Sequence, residues 1–328
     1  MTALVLIALV GYAGYWYYMA GVLRDQLVPW AQARAAEGYP THWDNADIDG
    51  FPVAFRFRFT NASYGALRPV PVAMSAPELL VWAKPWNLHH WEFSAPQGAR
   101  LVEPTGTGGF DAAHLDGEFH NDDDQGTSID IIARNLGGIG AAQAISIGDA
   151  EAHLDVPAVP PRDHTGIALG ASLQINQTKL PSPLPGFGDT LSGLSFSAQL
   201  KGALPPGAFV PALNQWRSDG GTIELGYLRL RWGSLLVDAN GTLALDRNLQ
   251  PEGALSATIT GQDAAVDVAV MTGTLKADQA GLAKSFLGLL AKPNADGQKA
   301  ITLPMTLQSQ QIYLGPAKIA DVPTIPWQ

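Results

Sequence analysis

From Thr2 to Leu23 the chain carries no charged residue over about 22 positions, and no other feature constrains its fold as strongly. A helix rises 1.5 Å per residue, so this run extends roughly 33 Å, enough to cross a ~30 Å hydrocarbon core. Tyr15, Trp16, Tyr17 and Tyr18 gather toward one end of it, where amphipathic rings favour the lipid–water boundary. A cleaved signal peptide would need a shorter apolar core and a small-residue cleavage site, and Tyr18-Met19-Ala20 makes a poor one. Residues 1–23 are therefore expected to be a retained single-pass anchor. Arg24 follows the run and no lysine or arginine precedes it, so charge alone gives no orientation.

The chain of 328 residues is long enough to bury a sizeable core in one large domain or two smaller ones. Charged residues make up only 15%, and 35 glycines and 24 prolines occur without a period, which suits many short strands and turns. A net charge of −10 argues against nucleic acid, whose phosphates need a basic surface. With no cysteine there is no disulfide, thiolate ligand or thiol nucleophile.

Helical spacing of Leu23, Leu27, Trp30 and Arg34 predicts a juxtamembrane helix over 24–38, kinked near Pro29 and stopped at Gly38-Tyr39-Pro40. The period then changes to 2. From Gly50 to Thr60, Val53, Phe55, Phe57 and Phe59 point one way while Ala54, Arg56, Arg58 and Thr60 point the other, the pattern of a half-buried strand. Further strands are expected at 78–82, 91–94, 113–119, 128–133, 150–156 and 168–175.

In the last third, Ile223, Leu225 and Tyr227 alternate in one phase and Leu228, Leu230 and Trp232 in the other. A bulge near Tyr227-Leu228 would put all six on one face. Asn240-Gly241 reads as a two-residue hairpin turn between 235–237 and 243–245. Leu282, Phe286, Leu289 and Leu290 share one face of a helix running from an Asp278 N-cap toward Pro293. Short turns join most strands, so the fold class is mainly β: an extended or curved antiparallel sheet over 39–328, with a few helices, on an N-terminal transmembrane helix. A similar cadence in 147–155 and 232–238 suggests two related halves, divided near 157–165 in the Pro-rich stretch Pro157 to Pro161.

Several segments together resemble the DUF2125 family of uncharacterised bacterial proteins. They are the anchor, the helix from Trp30 to Gly38, Gly50-Phe51-Pro52, Ala83-Lys84-Pro85-Trp86 with Trp91, the run from Gly241 to Asp246, and Leu314-Gly315-Pro316. The resemblance brings no reaction with it. Its layout is similar to the AsmA-like envelope proteins, whose curved sheets are thought to cradle acyl chains, and this implies a bacterial inner-membrane anchor with a periplasmic body.

Each candidate for chemistry has a plainer explanation. His89 and His90 would face opposite sides of a strand and cannot readily share a metal. The run from Asn121 to Gly126 packs carboxylates side by side, unlike the alternating ligands of a calcium loop. Asp44, Asp47 and Asp49 near Trp43 read as turn formers rather than a glycosidase pair. No nucleophile elbow or dinucleotide fingerprint occurs, and the glycine-rich Gly106-Thr107-Gly108-Gly109 lacks the lysine of a phosphate loop. Trp82, Trp86 and Trp91 would plug a sheet end, stack on a carbohydrate or contact the membrane interface.

The expected function is thus non-enzymatic and without cofactor or metal. The leading role is lipid binding, or support of envelope biogenesis, along Val53, Phe55, Phe57 and Phe59 if that stripe lines an open groove; its plainer reading is a closed core. The partners would be membrane lipid and envelope proteins, and the alternatives are an envelope scaffold or a carbohydrate-binding protein.

Overall fold

A computed structural model of the chain describes residues 1–66, 72–103, 107–184, 186–205, 207–271, 275–293, 297–315 and 317–327. Gly106 and Pro316, singled out in the sequence, lie outside the described residues. The chain divides into two units, Met1–Gln143 and Ala144–Gln328. The division falls ahead of the Pro157 to Pro161 stretch, which instead links two strands of the second unit.

The first unit opens with one continuous helix, α1 (Thr2–Ala36), which absorbs both the apolar run and the juxtamembrane segment. Pro29 lies within it, and Gly38 with φ +97° follows its end. Eight antiparallel strands follow among the described residues: β1 (Thr41–His42), β2 (Asn45–Asp49), β3 (Phe55–Ala66), β4 (Val72–Lys84), β5 (Asn87–Ala95), β6 (Ala99–Val102), β7 (Gly108–Asp122) and β8 (Gly126–Gly140). Strand β3 pairs with β1, β2 and β4; β4 pairs with β5 and β6, which both pair with β7; and β7 pairs with β8.

The predicted strand through Val53 starts later than expected. The Gly50 carbonyl accepts hydrogen bonds from the amides of Val53 and Ala54, so residues 50–54 form a turn and the ladder begins at Phe55. Val53 is 63% exposed in that turn and does not share a strand face with Phe55, Phe57 and Phe59.

The second unit is a meander of β9 (Ser146–Val156), β10 (Ile167–Leu184), β11 (Gly188–Lys201), β12 (Thr222–Trp232), β13 (Leu235–Leu245), β14 (Pro251–Thr260), β15 (Lys292–Pro293), β16 (Lys299–Gln308), β17 (Gln311–Leu314) and β18 (Ala317–Asp321). Helix α2 (Phe209–Ser218) lies between β11 and β12; α3 (Gln262–Met271) and α4 (Ala280–Leu290) lie between β14 and β15. Helix α2 closes one end of the sheet. Its Leu213 and Trp216 pack on Leu200, Ile223 and Leu245, and the Trp216 indole donates to the Lys201 carbonyl at 2.8 Å. Gly221 makes room for that indole, since a Cβ there would come within 2.2 Å of the ring. The C-terminal segment is tied to the same end: buried Gln250 exchanges hydrogen bonds with the Ile325 backbone, and the Trp327 indole donates to the Leu249 carbonyl at 2.6 Å.

Three local expectations are corrected here. The β12 bulge is present, but Gly226 is its extra residue, because Leu225 opposes Ala198 and Tyr227 opposes Ser197. The bulge therefore sends Tyr227 to the polar face, where the Arg229 guanidinium lies 4.6 Å from its ring. Asn240-Gly241 is not a turn; both residues lie inside β13, and the hairpin is made at Gly233-Ser234. Asp278 is not the cap of α4: it belongs to a 3-10 turn, and the N-cap is Gln279. Helix α4 carries the expected apolar face, yet Leu282, Phe286 and Leu289 on it are 76%, 61% and 85% exposed.

Candidate apolar sheet face

Residues directly opposite one another in antiparallel strands point to the same face, so the register sorts every side chain. In the first unit one row runs Ile48, Phe57, Val81, Phe93, Gly117, Ile131 across β2, β3, β4, β5, β7 and β8. The next row is Phe55, Ala83, Trp91, Phe119, Ile129. One residue over, the row is Asp49, Arg56, Trp82, Glu92, Glu118, Asp130. One face is therefore apolar over six strands, and the other carries the charges with Leu80, Trp82 and Ile132 among them. Ion pairs hold the charged face, with Arg56 to Asp49 at 2.6 Å and Arg134 to Asp116 at 2.9 Å.

The second unit repeats the division. Ala152, Leu173, Phe196, Leu228, Ala239, Ala257 and Leu303 form one row, and Ala150, Ile175, Leu194, Leu230, Val237, Ile259 and Ile301 the next. On the other side run Glu151, Gln174, Ser195, Arg229, Asp238, Thr258 and Thr302.

In a closed sandwich, inward side chains are nearly all buried. Here, among the described residues, the large side chains with under 2% exposure are Phe55 and Trp216, and each lies where a helix meets the sheet. Phe59, Trp91, Phe93, Phe119, Ile129 and Ile131 in the first unit stay half-buried, as do Leu173, Phe196, Leu228 and Leu230 in the second.

The predicted site residues separate accordingly. Phe55 is fully covered by α1, Phe57 is 4% exposed beside Phe59 and Trp91, Phe59 is half-buried, and Val53 is in the turn. The four aromatics expected at the membrane boundary separate too. Helical spacing puts Trp16, Met19, Ala20 and Leu23 against Phe55, Ile48 and Leu88, so Trp16 is a packing residue at 4% exposure rather than a lipid-facing one. Its indole donates to the Ala54 carbonyl at 3.1 Å and stacks on Phe55 at 5.3 Å. The Tyr15 hydroxyl donates to the Pro85 carbonyl at 2.9 Å, and Tyr17 and Tyr18 stay exposed.

The register also explains the other polar candidates. Trp82 lies on the charged face, Trp91 on the apolar face and Trp86 at the hairpin tip, so the three make no common stacking platform. His89 meets the Asn121 carbonyl and His90 meets Glu118. Asp122 accepts the amides of Asp124 and Gln125, closing the β7–β8 turn, and these bonds hold its carboxyl below the usual range. The Asn61 side-chain amide does the same for Asp44, and Arg100 for Asp111.

The buried polar side chains among the described residues are Thr178, Gln250 and Gln262, none of which titrates. A depression of about 560 Å³ in the second unit lies among Gln174, Asn176, Tyr227, Arg229 and Asp238, residues of the polar face. There Arg229 is paired with Asp238 at 2.8 Å and Asn176 donates to Asp149 at 2.8 Å.

Residues 16–323 match a family described as "Uncharacterized protein conserved in bacteria (DUF2125)". No curated protein and no solved structure matches.

Proposed function

The chain belongs to the DUF2125 family, and from that premise and the two-faced sheet we propose that it is a non-enzymatic, membrane-anchored lipid-binding protein of the bacterial envelope. The observation that carries this reading is the apolar face itself, continuous across the strands of each unit, half-buried rather than sealed, and backed by a face of charges and hydroxyls. An acyl chain laid along such a face removes apolar area on both partners, at about 0.8 kcal/mol per buried CH2 before ordering costs. Helix α1 is long and apolar enough to cross a bilayer and would hold the protein in the inner membrane, with the sheet in the periplasm. No cofactor enters this role. Envelope proteins that deliver or receive lipid are its proposed partners.

Lipid extraction tests it. The purified full-length chain should yield phospholipid by mass spectrometry after extensive detergent washing. Ile131→Glu, on the apolar face, should deplete that lipid, and Ile132→Glu, one residue on and on the opposite face, should not. Absence of lipid from the unmodified protein, or equal depletion by both variants, would remove the reading.

A further inference from the structure

Helix α1 lies against the rim of the first sheet, and the contacts fix which part of the sheet shares its depth. Tyr12 donates its hydroxyl to the Pro52 carbonyl, Tyr15 to the Pro85 carbonyl, and the Trp16 indole to the Ala54 carbonyl. All three donors lie inside the uncharged run that ends before Arg24. Tyr12 is about one turn further from Arg24 than the Tyr15 to Tyr18 cluster, on the side away from the chain's first charge. The two turns bonded to these tyrosines present Phe51, Val53 and Trp86 to the outside at 46%, 63% and 67% exposure.

Both turns are also chemically suited to a dry environment. Backbone polar groups in lipid must find partners within the protein. Pro52 and Pro85 have no amide hydrogen, and their carbonyls are already bonded to the helix tyrosines. Exposed Lys84, next to the second turn, has a stem long enough to carry its ammonium to the headgroups. By register the acidic Asp122–Gly126 turn ends on the same side, beyond β5 and β7, and its carboxylates limit how far along the rim lipid contact extends.

We propose that the tips at Phe51–Val53 and Pro85–Trp86 are inserted in the bilayer beside α1, so that the half-buried Trp91 and Phe119, in the row that begins at the α1-covered Phe55, lie next to the hydrocarbon. This rests on α1 being the membrane anchor, and it deepens the lipid-binding reading by giving acyl chains a route from bilayer to sheet.

The chain has no cysteine, so single cysteines can be introduced and labelled with an environment-sensitive fluorophore. The full-length protein would be reconstituted in phospholipid vesicles with labels at Leu6→Cys, Val53→Cys, Trp86→Cys and Ser75→Cys. Ser75 is exposed on β4, nine residues or ~30 Å along the strand from Lys84. Labels at 6, 53 and 86 should be blue-shifted and quenched by nitroxide-bearing lipids, and the label at 75 should be neither. Quenching at 6 with aqueous spectra at 53 and 86 would overturn the inserted tips and leave the anchor standing. Aqueous spectra at all four positions would overturn the anchor as well. Loss of extractable lipid with quenching intact would count against the lipid-binding sheet alone.

Discussion

Phe57 and Arg58 are neighbours in sequence and sit on opposite faces of β3, the first 4% exposed and the second 3.5 Å from Glu78 at the surface. Phe57→Asp would bury a carboxylate and delete a ring, at a cost of several kcal/mol. Arg58→Asp removes an exposed ion pair whose worth is about 0–1 kcal/mol, and places a like charge beside Glu78. Thermal unfolding of the full-length protein should show the first variant melting far below the second, since each kcal/mol moves Tm by about 2–4 °C in domains of this size. Equal shifts would mean that the facing of β3 is wrong. Acid titration tests a second residue pair. The Arg100 guanidinium, bonded to Asp111 at 2.7 and 2.9 Å, holds the Asp111 carboxyl below its ordinary value of 3.8. A carboxyl depressed on folding stabilises above its unfolded pKa, and the contribution is lost as pH falls through the folded one. The pair should therefore help at neutral pH and fail only below about pH 4, with a small effect because both groups are solvated. An NMR titration should return Asp111 to the ordinary range in Arg100→Gln.

At the scale of elements, the alternation of β3, β4, β7 and β10 was legible because each strand carries its own period, and α1 because its apolar run needs no partner to be recognised. What could not be read locally was set by neighbours. Asn240-Gly241 has the composition of a hairpin turn, but both residues lie inside β13: Gly241 is paired with strands on either side, and Asn240 is paired with Ser256 opposite the β12 bulge. Gly241 has φ +151°, and a Cβ there would come within 2.4 Å of the Ala254 carbonyl oxygen. Gly241→Ala should consequently destabilise the second unit by more than the ~1 kcal/mol of an ordinary glycine replacement, whereas Gly137→Ala, with open space around it, should be close to neutral. Paired denaturant melts would decide. The turn at 50–54 escaped detection because Val53 continues the alternation of Phe55 and Phe57 while the Gly50 carbonyl draws the backbone out of the ladder. Locally Trp16 has the setting of a lipid-facing ring, because the sheet that covers it lies about 40 residues further along. Helices α2 and α3 were not anticipated. Trp16→Ala should cost about 3–5 kcal/mol of packing and loosen α1 from the sheet, seen as faster proteolysis between Glu37 and Asp44.

Across the whole molecule, the sequence shows apolar residues on alternate positions of many strands, and only the register shows that they join into one face per unit. Phe119, Ile131 and Leu173 therefore enter the candidate site from the structure although each stands in an expected strand, and Phe196 enters with β11, a strand outside those expected from the sequence. The proposed topology has a simple check: alkaline phosphatase fused after Gln328 should be active, and a reporter that works only in the cytoplasm should be silent. The central claim is that the apolar face holds acyl chains, and site-specific photocrosslinking in living cells addresses it most directly. A benzophenone amino acid at Phe119 replaces one ring with a larger one on the apolar face; at Glu118 it stands one residue away on the charged face. On irradiation the Phe119 probe should form a phospholipid adduct, detected by mass, and the Glu118 probe should not. Adducts at neither position, or equally at both, would contradict the account.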